Sequence, residues 1–135
     1  MKYFNGKVAA ITVAASGIGR ALAIELSSYG CHLALSDVDE TGLAETAVSA
    51  QSNNVKVTTT VINVADRQAV YDWADKTVKD HGKVNLIFNN AGVALGGTVE
   101  QTSYEDYEWI MNVNLWGVIY GTKAFLPHIK HAGEP

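Results

Sequence analysis

Apolar and polar positions along the chain follow two periods, one typical of strands and one typical of helices. Short apolar, β-branched runs recur, and between them lie longer segments with apolar residues three or four positions apart. Gly30 suits the end of the first helix and Asp66 the N-cap of the third. Such alternation is typical of β-α-β units and a parallel sheet. The expected strands are 7–13, 32–37, 56–64 and 84–90, and the expected helices are 17–30, 40–52 and 66–82.

A longer helical pattern follows over residues 102–130. Thr102 and Glu105 have the spacing of a capping box, which predicts where this helix begins. Its apolar residues spread round much of the helix surface, so we expect cover on more than one side. Trp109 and Trp116 are expected to serve core or interface packing rather than base stacking.

Composition and charge narrow the class of protein. The chain has 135 residues, 47% hydrophobic and 18% charged, which is typical of a single globular domain over residues 1–135. The net charge of -4 comes without a basic face, so nucleic acid is not an expected partner. No apolar run predicts a membrane span or export, and we expect a cytoplasmic location. Cys31 is expected to be a buried thiol, and the histidines have no metal-ligand spacing.

A glycine-containing turn follows the first expected strand. Gly17 and Gly19 would let the backbone approach a pyrophosphate at a helix N-terminus, although such glycines also serve turn geometry alone. Asp37 lies 20 residues after Gly17 at the end of the second strand, where a carboxylate accepts hydrogen bonds from an adenosine ribose. This carboxylate would repel a 2′-phosphate, and Arg20 is the only nearby cation, because residues 21–55 contain no Lys or Arg. NAD is therefore favoured over NADP.

Three motifs together resemble the short-chain dehydrogenase/reductase family of NAD(P)-dependent oxidoreductases. They are the run TVAASGIG at 12–19, NNAG at 89–92 and NVNLWG at 112–117, and the resemblance covers the whole chain. The first motif departs from the family pattern at Val13, where the family has glycine. If the turn requires a positive φ, valine is strained there, and we expect weakened NAD binding.

The resemblance implies a fold and a set of site residues. The fold is an α/β, three-layer, Rossmann-like doubly wound parallel sheet with strand order 3-2-1-4, incomplete beyond the fourth strand. Asn63 stands where the family has an aspartate that touches the adenine amino group, so we expect a weaker contact there. Asn114 is the catalytic candidate, because the family's asparagine holds a water in a proton relay. The implied cofactor-binding residues are Ser16, Gly17, Ile18, Gly19, Asp37, Val38, Asn63, Val64, Asn90, Ala91, Gly92 and Val113, and no metal is implied.

The family's other catalytic groups, a serine and a Tyr-x-x-x-Lys pair, follow the long helix and have no counterpart here. Tyr3 and Lys7 have the spacing by chance, ahead of the first strand. We therefore expect a C-terminally truncated member that binds the dinucleotide but does not turn over an alcohol or carbonyl substrate alone. An open strand edge and an uncovered helix 102–130 favour a homo-oligomer. The alternatives are a non-catalytic nucleotide-binding domain and a self-associating interaction domain.

Overall fold

The computed structural model describes residues 2–134, and its strands form one parallel sheet in the order β3-β2-β1-β4. This confirms the expected α/β class and strand order. After a short 3-10 turn (Lys2–Phe4), the elements are β1 (Val8–Thr12), α1 (Gly17–Ser28), β2 (His32–Asp37), α2 (Glu40–Gln51), β3 (Val57–Val61), α3 (Arg67–His81), β4 (Leu86–Phe88), α4 (Tyr104–Met111), a π-helical turn (Asn112–Trp116) and α5 (Gly117–Ala132).

Alternate residues of the central strands face two different helical layers. Ile11 of β1 packs in a buried cluster with side chains of α1 and α2, whereas Ala10 packs in a second cluster with side chains of α3 and α5. In that second layer the rings of Trp73 and Phe125 meet edge to face, with centroids 4.9 Å apart. Because both faces of β1 are covered, the strand is a continuous apolar run. Cys31 is fully buried as expected, and burial raises the pKa of its thiol to about 11.

Side-chain caps and glycines define the helix ends. The Asp66 carboxylate accepts a hydrogen bond from the Ala69 amide at 3.1 Å, which confirms the predicted N-cap of α3. Gly82 ends the same helix with a φ of 81°, and Gly30 follows α1 with a φ of 79°. These left-handed conformations carry little cost for glycine.

The last helical segments form one rod, α4 to α5, which begins later than predicted. Ser103, not Thr102, is its N-cap, and the Ser103 hydroxyl accepts a hydrogen bond from the Asp106 amide at 3.1 Å. The capping prediction for Thr102 is wrong because the Thr102 hydroxyl donates to the Thr98 carbonyl at 2.8 Å and closes the preceding turn. The rod ends at Ala132. No helix within residues 2–134 is long and apolar enough to cross a membrane.

A polar cluster lies at the amino-terminal end of β3, where α3 ends. His81 is half-buried, and one of its ring nitrogens lies 2.9 Å from the Thr58 hydroxyl. Burial, assisted by the positive charge of Lys56, lowers the pKa of His81 to about 4. The folded chain therefore favours the neutral imidazole.

Candidate functional site

A cavity of about 240 Å³ opens at the carboxyl ends of the strands. Ligands of doubly wound sheets bind at this end, beside the point where the strand order reverses, here between β1 and β4. Whole small-molecule sites typically measure roughly 300–1,000 Å³, so this cavity suits one part of a dinucleotide. Its lining includes five of the predicted cofactor residues, namely Asp37, Val38, Asn63, Val64 and Val113, together with Val13, Ser36, Ile62, Val93 and Trp109.

Asp37 is the buried acidic group of this cavity, with 6% of its surface exposed. One carboxylate oxygen accepts a hydrogen bond from the Ala15 amide at 2.9 Å, and the other accepts one from the Asp39 amide at 3.0 Å. These two bonds fix the carboxylate between the turn after β1 and the start of α2. Each oxygen keeps further acceptor capacity, which a ribose hydroxyl can use.

The predicted residues Ser16, Gly17, Ile18 and Gly19 lie outside the cavity wall, at the N-terminus of α1. The Ser16 side chain does not cap the helix, and the first amides of a helix have no intrahelical partner. Together with the positive end of the helix dipole, they form a site suited to an anion. Gly19 permits close packing beneath this site, because a Cβ there would lie 2.1 Å from the Val13 carbonyl oxygen.

Val13 occupies the left-handed region of backbone conformation, with a φ of 53°. The turn therefore has the positive φ at which a valine is strained. Its half-buried side chain lines the cavity. The Asn90 side-chain amide donates to the carbonyls of Thr12 and Val13 at 3.2 and 3.4 Å, which supports the turn in this conformation.

Asn90, Ala91 and Gly92 are also not part of the cavity wall. The amides of Asn90 and Ala91 both donate to the Thr12 hydroxyl at 2.9 Å, while Gly92 is exposed. Because Thr12 ends β1, these bonds tie the segment after β4 to the turn that carries Val13. The structure thus gives Asn90 and Ala91 a bracing role beside the predicted cofactor path.

Asn63 is exposed at the cavity, just after β3. Its side-chain oxygen accepts a hydrogen bond from the Ala65 amide at 2.9 Å. This local turn orients the side chain, which offers no charge to a ligand.

Asn114 lies in the π-helical turn and holds the segment that follows β4. Its side-chain oxygen accepts a hydrogen bond from the Val93 amide, and its side-chain nitrogen donates to the Val93 carbonyl, both at 2.8 Å. Val93 lines the cavity, and so does Val113 from the same π-helical turn. The Asn114 side chain therefore positions one wall of the cavity.

Four residues of the cavity wall were not predicted from the sequence, namely Ser36, Ile62, Val93 and Trp109. Trp109 of α4 is 46% exposed rather than part of the core, and it lines the cavity. Ser36 is fully buried, and its hydroxyl has no hydrogen-bond partner within residues 2–134. Its place directly before Asp37 at the end of β2 was a usable signal for Ser36. The sequence carries no comparable signal for Trp109, because α4 reaches the cavity only in the folded chain.

The Arg20 side chain bonds to α2. Its guanidinium donates to the Thr46 hydroxyl at 3.0 Å, the Gly42 carbonyl at 3.2 Å and the Glu45 carboxylate at 3.1 Å. The cation thus links α1 to α2.

The sheet order, the glycine-containing turn before α1 and the buried acid at the end of β2 together define a Rossmann-like α/β domain. The family model of the short chain dehydrogenases matches residues 7–134. The chain belongs to the short chain dehydrogenase family.

Individual relatives match nearly the whole of this chain, and the solved structures among them share its fold. SadH of Mycobacterium tuberculosis, a proposed oxidoreductase, is 49% identical over 134 residues, which cover 99% of this chain and 49% of SadH. A crystal structure of a short chain dehydrogenase/reductase from Burkholderia phymatum in complex with NAD has a TM-score of 0.94 and 40% identity, covering 99% of this chain and 48% of that one. Carveol dehydrogenase from Mycobacterium avium in complex with NAD has a TM-score of 0.93 and 28% identity, covering 98% and 53%. The chain spans about half the length of these relatives.

Proposed function

We propose that this chain binds NAD, as one domain, and forms the dinucleotide-binding part of an oxidoreductase that acts on an alcohol or carbonyl substrate. The observation that carries the proposal is the Asp37 carboxylate. It is buried, fixed by the Ala15 and Asp39 amides, and faces the cavity beside the glycine turn. A carboxylate in this position recognises the ribose hydroxyls of an adenosine.

The residues present fit the cofactor. The N-terminus of α1, from Gly17 to Gly19, suits the pyrophosphate, and the apolar cavity wall beyond Asp37 suits the base. When bound, the nicotinamide ring of NAD supplies the hydride acceptor of the reaction. Asn114 supports the site by holding Val93, so we propose a positioning role for its side chain.

We further propose that the chain prefers NAD to NADP. An NADP site usually places a cation near the ribose 2′-phosphate. Arg20 instead bonds to α2, and Asp37 would repel the phosphate. The fixed carboxylate of Asp37, together with an arginine that is already bonded to α2, favours the unphosphorylated ribose of NAD.

Titration calorimetry of the folded chain tests the proposal. We expect saturable NAD binding, at least tenfold weaker NADP binding, and a loss of about tenfold or more in NAD affinity for Asp37→Asn. Glu40→Gln is the matched control, because Glu40 is an exposed acid outside the cavity wall. Thermal unfolding of each variant separates lost contacts from lost structure. No binding at millimolar NAD, or equal binding by Asp37→Asn, would contradict the proposal.

A second proposal concerns self-association through the rod. The rod exposes a series of large apolar side chains within the described residues, which include Trp109, Met111, Leu115, Trp116, Val118 and Leu126. Such a patch favours an interface between protein chains. We expect sedimentation velocity to show a homo-oligomer that Leu115→Lys weakens, and a monomer at all concentrations would contradict it. The cytoplasmic location stays a prediction.

A further inference from the structure

Asn63 stands at the end of the cavity that a base would reach, and this placement follows from the sheet order. The glycine turn follows β1, Asp37 ends the adjacent β2, and Asn63 follows β3 on the far side of β2. On the proposed function above, the phosphates lie at α1 and the ribose at Asp37. The base then extends toward Asn63.

The orientation of the Asn63 side chain is fixed by chemistry. The Ala65 amide can only donate, so the atom that lies 2.9 Å from it must be the side-chain oxygen of Asn63. The side-chain nitrogen consequently points the other way. It makes no hydrogen bond in the part of the chain that the structure describes, residues 2–134, and remains a donor for a ligand.

Apart from Asp37, the residues of the cavity wall are uncharged. Val64, Val113 and Trp109 supply apolar surface, and the buried hydroxyl of Ser36 can donate or accept. A carboxylate at position 63 would offer acceptors only and would repel a carbonyl oxygen on the base. The amide offers a donor in addition to the second lone pair of its oxygen.

We propose that Asn63 makes the base end of this cavity tolerant of 6-oxopurines, so that hypoxanthine is accepted alongside adenine. The Asn63 nitrogen donates to the 6-oxo group of hypoxanthine, whereas the 6-amino group of adenine donates to the Asn63 oxygen. Asn63 is therefore a specificity-determining residue for the base of the dinucleotide.

The test compares the binding of NAD and of nicotinamide hypoxanthine dinucleotide to the whole chain by titration calorimetry. Asn63→Asp is the informative variant, because an aspartate still accepts from the Ala65 amide and keeps the local turn. The rest of the cavity is the same in both proteins, so contacts that either base makes elsewhere cancel in the change of the affinity ratio between wild type and Asn63→Asp. AMP and IMP, measured in the same way, show whether the effect resides at the base end.

We expect the wild-type chain to bind the two dinucleotides with affinities within about fivefold of each other. Asn63→Asp should shift the ratio toward NAD by about 5- to 150-fold, the effect of one mismatched polar contact. A wild-type preference for NAD of about a hundredfold, or a ratio that Asn63→Asp leaves unchanged, overturns the inference while the proposed function stands. Absence of binding for both dinucleotides overturns the proposed function together with it.

Discussion

Replacing Val13 separates two effects that the sequence alone combines, backbone strain and side-chain bulk. An L-residue in the left-handed region costs about 1–2 kcal/mol relative to glycine. Val13 has a φ of 53° in the folded chain. The strain belongs to the folded turn itself, so we expect it to lower the free energy of unfolding rather than the affinity for NAD.

The structure also sets the expected change in stability for Val13→Gly. Relief of strain adds about 1–2 kcal/mol to the free energy of unfolding. Glycine lowers the free energy of unfolding by about 0.5–1 kcal/mol, because it gives the unfolded chain more entropy. Loss of the half-buried valine side chain lowers it by roughly 1 kcal/mol more. We expect these contributions to cancel to within about 1 kcal/mol, measured by urea unfolding.

Binding responds to bulk, because the Val13 side chain stands in the cavity wall. If the bound dinucleotide must displace it, a misfit of about 1–3 kcal/mol weakens NAD roughly 5- to 150-fold. Val13→Ala is the matched control, since alanine removes the two methyl groups but keeps most of the left-handed strain. Calorimetry should show tighter NAD binding for both variants. An affinity gain for glycine alone, or for neither variant, refutes the assignment to bulk.

Two further predictions concern Gly19 and His81. Gly19→Ala should lower the melting temperature and abolish measurable NAD binding, because its Cβ would lie 2.1 Å from the Val13 carbonyl oxygen. Gly96 is exposed, and a Cβ there would meet no atom within 4 Å, so Gly96→Ala should change neither quantity. Equal melting temperatures for the two variants would contradict this. His81 has a folded pKa of about 4 against 6.5 when unfolded, so its contribution to stability is complete above pH 6.5 and is lost as the pH falls to 4. The loss of up to about 3 kcal/mol is reduced by solvent screening to about 1–2 kcal/mol. Urea unfolding between pH 7.5 and 4 should show a flatter pH dependence for His81→Gln, and parallel curves for both proteins would contradict the assignment.

The fold could be predicted because its periods are local. The two central strands are largely apolar, and the helices between the strands have apolar residues three or four positions apart, so alternation alone indicates the layers. The ends of elements were harder to predict. β4 starts at Leu86 rather than 84 because the Asn85 side chain, not the strand backbone, accepts the Val8 amide at 2.9 Å. When a side chain replaces a backbone hydrogen-bond partner in this way, the apolar periodicity of the sequence does not change, so the sequence does not reveal it.

The site could be predicted only where one residue type carries the chemistry at a fixed spacing. Asp37 met that condition, and the structure places it at the cavity with its carboxylate fixed. Trp109 did not, because a tryptophan in an apolar helix reads as packing until the rod is folded across the sheet ends. Asn114 likewise makes its contacts with Val93, which lies 21 residues earlier and is recognisable only in three dimensions.

The two departures from the family pattern, Val13 and Asn63, act on the same cavity in different ways. Val13 changes the space available, through a side chain where the family has none, and leaves hydrogen bonding untouched. Asn63 changes the hydrogen-bonding character and keeps the shape. Since both line one cavity, a dinucleotide that shifts to avoid Val13 also moves its base relative to Asn63, and we expect their effects on affinity not to add. Asn63 sets which hydrogen bonds the base can make, and Val13 affects where the dinucleotide lies, which is why neither substitution could be interpreted from its position in a motif alone.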